Sequence, residues 1–190
     1  MNEMKAILEA VLFASDHPLP LDKIVDLFRE QGAGKKDVIE SLSDLKQEYE
    51  QRKGGFYLQE VAGGYQFRTR PDLASWIKRL KGTRPPMLSP AAMETLAVIA
   101  YRQPVVKVEI ELVRGVDVGG VLRGLLDRRL VRIVGRKDVP GKPILYGTTK
   151  KFLEVFNLND LSELPTMREM KELQQTSDQG TLILDDGKNV

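Results

Sequence analysis

The sequence predicts a mostly helical α+β protein with small β-hairpins, built on one plan used twice and followed by an acidic tail. Three observations carry this. Residues 88–156 read as three short amphipathic helices followed by two β-rich runs around a turn. Residues 10–18, AVLFASDHP, can be laid over residues 96–104, LAVIAYRQP, at an offset of about 86 residues. Beyond Met167 the chain turns polar and acidic, with few large apolar groups outside Leu182-Ile183-Leu184.

In the first copy, aligning Pro18 with Pro104 matches Leu12, Phe13 and Ala14 with Val98, Ile99 and Ala100, and Ile24 with Ile110. Leu21, Ile24, Val25 and Phe28 predict a second short helix, stopped by the turn at Gly32–Gly34. Val38, Leu42, Leu45 and Tyr49 recur at i, i+4, i+7 and i+11, which predicts a longer third helix with one buried stripe. Phe56 and Leu58, then Tyr65 and Phe67, alternate with polar neighbours on either side of Gly63–Gly64, a pair read as a turn that tolerates positive φ. Leu73, Trp76 and Ile77 suit a closing helix over 71–80, and KGTRPP, residues 81–86, cannot continue it.

The second copy repeats the order. Ser89 can cap a helix whose first turn opens on Pro90, where a missing N–H costs nothing, and Met93, Leu96, Ala97 and Ala100 follow at helical spacing. Arg102, Gln103 and Pro104 break it. A second helix holding Ile110 and Val113 stops at Arg114–Gly115, as helices stop at a C-terminal glycine. Val118, Val121, Leu122, Leu125 and Leu126 then fall at i, i+3, i+4, i+7 and i+8. Leu130–Val134 and Ile144–Gly147 flank a turn-forming stretch with the Pro140–Gly141 pair, and Phe152, Val155 and Phe156 make a closing helix, after which Leu158, Leu161 and Leu164 are expected to pack back before Pro165. Three short helices and a hairpin describe a winged helix, a helix-turn-helix plus a wing. The expected organisation is therefore two tandem winged-helix domains, 1–80 and 88–165, joined by a linker at 81–87 and followed by a flexible, disordered acidic tail at 166–190.

Composition narrows the function. The 190 residues are 42% hydrophobic, enough for two small cores, and contain no cysteine and one histidine, so neither disulfides nor a Cys- or His-based metal cluster is expected. The longest apolar run, near Ile99, falls far short of the ~20 residues that span a membrane, and a cytoplasmic protein without a membrane partner is the expectation. No Gly-x4-Gly-Lys-Ser/Thr loop occurs, Gly63–Gly64 and Gly119–Gly120 lack the strand-then-helix spacing of dinucleotide sites, and His17 has no nucleophile in a recognisable frame. No enzyme and no cofactor are expected.

The net charge of +2 conceals a gradient: Arg102–Lys151 holds twelve Lys or Arg against five Asp or Glu, whereas Asn159 onward holds three against seven. A winged helix reads DNA with the N-terminal half of its third helix. Here that half is Val116-Asp117-Val118-Gly119-Gly120-Val121, which leaves only Arg123 as a reader, and the first copy shows the mixed face of Lys36, Glu40, Ser41, Asp44, Lys46, Gln47 and Glu48. Arg123, Arg132, Arg136, Lys137 and Lys142, with Arg128 and Arg129 nearby, can still meet phosphates without reading sequence, which admits weak nonspecific DNA contact. A small-residue helix face suits protein contact better, so an interaction module is favoured and a DNA-binding winged-helix transcriptional regulator is the alternative.

Leu88-Ser89, Glu94–Pro104 (ETLAVIAYRQP), Glu109-Ile110, Arg114-Gly115-Val116, Val134-Gly135-Arg136 and Leu145–Thr149 (LYGTT) carry a resemblance to the bacterial segregation and condensation protein B family, ScpB. The first copy matches it mainly in plan and in the EAVLFAS…PL opening. The resemblance implies tandem winged helices, a homodimer formed largely through the N-terminal domains, and binding to the central segment of the kleisin ScpA. In that family ScpA in turn bridges the heads of the Smc ATPase, so the resemblance implies that the chain is a non-enzymatic, nucleoid-associated scaffold in chromosome condensation and partition during cell division. Carried over by motif, Tyr101, Arg102, Gln103 and Pro104, with Arg114 and Gly115, are the candidate partner-binding residues; Tyr101 packing under the wing and Arg114 capping helix carbonyls are the structural alternatives. The chain departs from the pattern at Val106, where relatives usually carry a capping threonine, and at Arg129, where they often carry glycine.

Overall fold

In the computed structural model, residues 2–82, 87–166 and 169 are described. The expected tail motif, Leu182–Leu184, and most of the expected linker lie outside them. The chain divides into a compact unit, Met1–Asp160, and a short one, Leu161–Val190. Eight α-helices, three 3-10 turns and six short strands in two antiparallel sheets make up the described secondary structure, so the protein is mixed α and β.

In the first copy, α1 (Asn2–Ala14) buries Leu8 and Leu12, which share a face at i, i+4. After the two-residue β1 (Leu19–Pro20) come α2 (Leu21–Leu27) and a 3-10 turn ended by Gly32 in the left-handed region. The stripe predicted on the third helix is present: α3 (Lys35–Arg52) buries Val38, Leu42, Leu45 and Tyr49 against Leu8, Leu12, Ile24, Phe28 and Leu58. Its first turn is held by the Asp37 carboxylate, which accepts from the Gly34 N–H at 2.8 Å. The hairpin β2 (Phe56–Val61) and β3 (Gly64–Thr69) closes the core, and β1 adds the third strand in the order β1-β3-β2. A 3-10 turn at Pro71–Leu73 and α4 (Ala74–Lys81) follow, with Trp76 and Leu80 exposed.

The second copy has the same order. Helix α5 (Pro90–Arg102) is capped by the Ser89 hydroxyl, which accepts from the Ala92 N–H at 3.2 Å. Next are β4 (Val105–Val106), α6 (Lys107–Arg114) stopped by left-handed Gly115, α7 (Gly119–Asp127), the hairpin β5 (Val131–Arg136) and β6 (Ile144–Thr148), and α8 (Lys150–Phe156). The strand order is β4-β6-β5, and Val105 pairs with Tyr146 as Leu19 pairs with Tyr65. Leu96, Ile99, Ile110, Val118, Leu122, Leu125 and Phe152 are buried. Val106 occupies the N-cap of α6 without a side-chain bond, and the Glu109 carboxylate takes the Val106 N–H instead at 3.2 Å. Arg129 holds φ 57, the geometry of a glycine. In the short C-terminal unit, a 3-10 turn at Leu161–Glu163 leaves Leu161 exposed, so this leucine does not bury as its spacing suggested.

Three further details differ from the sequence reading. On α5 the buried stripe is Leu96, Ile99 and Ala100, while Met93 and Ala97 are exposed. Phe13, laid over buried Ile99, is 76% exposed. The connection from α1 to β1 spans residues 15–18, whereas that from α5 to β4 is only 103–104, so equal distance from the proline does not put the two helices in equal rotation. The first hairpin turns at Ala62 and Gly63, at φ 54 and 72, while Gly64 belongs to β3.

That hairpin also meets the chain beyond α8. The Ala62 N–H donates to the Leu158 carbonyl at 2.8 Å and the Gly63 N–H to Asn159 Oδ1 at 3.0 Å. The Arg68 guanidinium donates to the Glu154 carbonyl at 2.7 Å and to Asn157 Oδ1 at 2.9 Å.

At the end of α3, Tyr49 packs against Phe56 and Phe67, with ring centroids 5.3 and 4.7 Å away, and its hydroxyl donates to the Glu9 carboxylate. Burial, then that bond, push its pKa up to about 12. The unfolded tyrosine ionises near 10.0, so between these values the folded chain holds more protons and stability falls as pH rises. Denaturant unfolding at a series of pH values is expected to show a smaller loss across this window in Tyr49→Phe than in the unmodified chain.

Candidate partner-binding surface

Helix α5 ends where the candidate residues begin. The Gln103 N–H closes the last turn on the Ile99 carbonyl at 2.9 Å, and the Gln103–Pro104 peptide bond is cis. The Gln103 side chain is half-buried and fully engaged. Its amide nitrogen donates to the Ala100 carbonyl at 3.1 Å and to Thr148 Oγ1 at 2.9 Å, and its oxygen accepts from the Thr148 N–H at 2.7 Å. A Cβ on Gly147 would stand 2.9 Å from that oxygen and 2.9 Å from Val134 Cγ1. The YRQP and LYGTT motifs therefore meet: the glycine makes room for the glutamine, and the threonine completes its bonding. Gln103→Ala is expected to destabilise the chain by about 1–3 kcal/mol in denaturant unfolding, because it strands a buried N–H on β6.

Tyr101, Arg102 and Pro104 stand exposed on the same turn. Tyr101 is 45% exposed. Arg114 turns inward from the end of α6: its guanidinium pairs with the Glu94 carboxylate on α5, and its Nε is buried without a hydrogen-bond partner. Among the described residues it caps no carbonyl. The stop is made by Gly115, at φ 70, whose N–H donates to the Glu111 carbonyl at 2.8 Å. Of the six candidates, Tyr101, Arg102, Pro104 and Gly115 face outward, whereas Gln103 and Arg114 bind the fold together.

Helix α6 adds a feature that sequence reasoning missed. Val108 and Leu112, one turn apart, are 69% and 84% exposed, and Val116 beyond Gly115 is also exposed. Only Ile110 is buried on this helix. The signal lay in the spacing, because apolar residues at 108 and 112 cannot share a face with 110. Charges frame the stripe. Lys107 pairs with Glu111 at 3.1 Å and Asp117 at 2.8 Å, and Lys137 reaches Glu109 at 2.6 Å. The bond from Lys137, then that from the Val106 N–H, hold the Glu109 carboxyl below its usual range.

The five cations assigned to DNA are not equivalent. Arg132 donates to the Thr148 carbonyl at 3.2 Å, Arg136 to the Lys142 carbonyl at 3.0 Å, and Lys137 is paired as above. Arg123 on α7 and Lys142 in the hairpin loop are exposed. Among the described residues, no group of three or more metal-ligating side chains gathers and no helix is long and apolar enough to cross a membrane.

The profile of the family described as "Segregation and condensation complex subunit ScpB" matches residues 6–167. The chain is 51% identical over 176 residues to the segregation and condensation protein B of Syntrophotalea carbinolica, covering 93% of this chain and 88% of that one. It is 46% identical over 176 residues to that of Moorella thermoacetica, covering 93% and 89%. Among solved structures, ScpB from Mycobacterium tuberculosis is 34% identical and covers 83% of this chain and 96% of its own, with a TM-score of 0.38. The dimer of an ScpB N-terminal domain complexed with an ScpA peptide is 28% identical and covers 42% and 95%, with a TM-score of 0.37.

Two copies of one helix-and-sheet order, with an apolar helix face left open to water, define a protein of repeated α/β build. The sequence match is more particular: the chain belongs to the family of the segregation and condensation complex subunit ScpB.

Proposed function

We propose that this chain is a non-enzymatic scaffold that binds the central segment of the kleisin ScpA and acts through it on the heads of the Smc ATPase, in chromosome condensation and partition during cell division. The family supplies the partner; the observation that carries the site is the open Val108–Leu112 face of α6. A leucine as exposed as Leu112 gains about 2 kcal/mol when a partner covers it. In this reading residues 88–165 form a winged helix that grips an ScpA segment along α6 and the outward side chains of Tyr101, Arg102 and Pro104. Residues 1–80 form the other winged helix, across a linker at 81–87, and make the homodimer; the exposed Phe13, Trp76 and Leu80 support an apolar contact there. The place of action is the cytoplasm, at the nucleoid.

The regulator alternative is weaker. Asp117, which repels phosphate, is pinned at the start of α7 by Lys107, and Gly119 and Gly120 give that helix no side chain with which to read a base edge. Direct contact with the chromosome is therefore contact with its phosphates. Calorimetric titration of the chain with purified ScpA tests the main reading. Saturable binding to ScpA supports it; no heat and no co-elution overturn it.

A further inference from the structure

Four cations of the second copy gather away from its hairpin loop. Arg128 and Arg129 at the end of α7 and Lys150 and Lys151 at the start of α8 line a single cleft of about 400 Å³, and His17 closes it from the first copy. The first hairpin is bonded to the α8 segment beside this cleft, through Arg68 to the Glu154 carbonyl and through Ala62 to Leu158 just beyond the helix. Its one acid, Glu154, is paired with Lys151 at 2.8 Å, and His17 Nδ1 lies 4.0 Å from its other oxygen. The cleft therefore offers positive charge with its only carboxylate already paired.

Arg129 is held rigidly at the cleft. Its φ of 57 lies where a Cβ is strained, and the backbone is locked there, with its N–H on the Leu126 carbonyl at 2.8 Å and its carbonyl accepting from the Thr149 hydroxyl at 2.5 Å. Glycine would hold the same turn without strain. The fixed backbone holds the Arg129 side chain at the cleft, which it lines.

We propose that this cleft is a sequence-independent binding site for the phosphodiester backbone of duplex DNA. It rests on the reading that the chain works at the chromosome and moves the contact from the hairpin loop of the second copy to the α7–α8 cleft. Arg and Lys side chains gathered there neutralise adjacent phosphates and release their counterions, which favours binding at low salt. No base edge is read, in keeping with the bare start of α7.

The test is fluorescence anisotropy of a labelled duplex of about 30 base pairs, titrated with the full chain between about 50 and 200 mM salt. ScpA affinity and thermal unfolding are measured in parallel. Arg129→Gly combined with Lys150→Glu is expected to weaken duplex binding at least about tenfold and to reduce the salt slope by about 2, with ScpA binding kept. Arg129→Gly alone is expected to weaken DNA binding without lowering the unfolding midpoint, which separates the side chain's role from the fold. Arg136→Glu with Lys142→Glu, in the hairpin loop, is expected to change affinity less than about twofold. Tripolyphosphate is expected to displace the duplex. The site is overturned if the cleft variant binds DNA like the unmodified chain, or if the hairpin variant loses as much. It is overturned equally if the unmodified chain binds ScpA but no duplex at low salt, or binds tripolyphosphate alone, which would make the ligand a free phosphate.

Discussion

Leu112→Glu is expected to weaken ScpA binding at least about 100-fold while leaving the unfolding midpoint unchanged. The separation follows from exposure: Leu112 is 84% exposed on α6, so the folded chain loses no packing when it is replaced. In a complex that covers the face, the variant forfeits the burial of a leucine, about 2 kcal/mol, and must also desolvate a carboxylate. Together these exceed the roughly 2.8 kcal/mol that corresponds to two decades of affinity. Val108→Ala, a smaller change on the same face, is expected to cost about tenfold or less. Leu112→Glu binding ScpA within about threefold of the unmodified chain would remove α6 from the interface.

Gly64→Ala is expected to destabilise the chain by about 2–3 kcal/mol, at the upper end for overpacking by one methyl. The added Cβ would lie 2.6 Å from both the carbonyl carbon and the oxygen of Leu19 and 3.0 Å from the Pro20 nitrogen. All three are backbone atoms of β1, which cannot rotate aside. Its neighbour behaves differently. Gly63→Ala meets nothing within 4 Å but keeps φ 72, so about 1 kcal/mol is expected. Equal losses for the two variants in denaturant unfolding would mean that β1 yields and that its pairing with β3 contributes little.

These two glycines also mark how far the sequence is legible. The pair reads as a turn, and a turn is there, but the turn takes Ala62 and Gly63, and Gly64 is required by a strand of two residues that has no period of its own. The same gap hides Val105–Val106. Helix ends fared better, because a cap or a stop is a local event: the hydroxyl of Ser89 and the left-handed turns at Gly32 and Gly115 are written into single residues. Pairings across the fold leave no such mark. Nothing at Glu94 announces Arg114, and nothing at Gln103 announces Thr148, forty-five positions later. At the candidate surface, the motif locates the region, and only the folded chain separates Tyr101, Arg102 and Pro104, which look outward, from Gln103, which does not. The apolar face of α6 is hidden in the sequence because Ile110 and Val113 stand at helical spacing and suggest one stripe, although Val113 is exposed and on this helix Ile110 alone is buried.

The bonds between the first hairpin and the chain beyond α8 make that hairpin tip a built-in gauge of association between the two copies. An isolated two-residue turn exchanges its amide protons almost at once. The Ala62 and Gly63 protons are instead held by Leu158 and Asn159, the latter ninety-six positions downstream. Their exchange rates in deuterated water report how often the copies part, residue by residue and without a label, and a ligand that spreads or clamps the copies would be read there as faster or slower loss of those two signals.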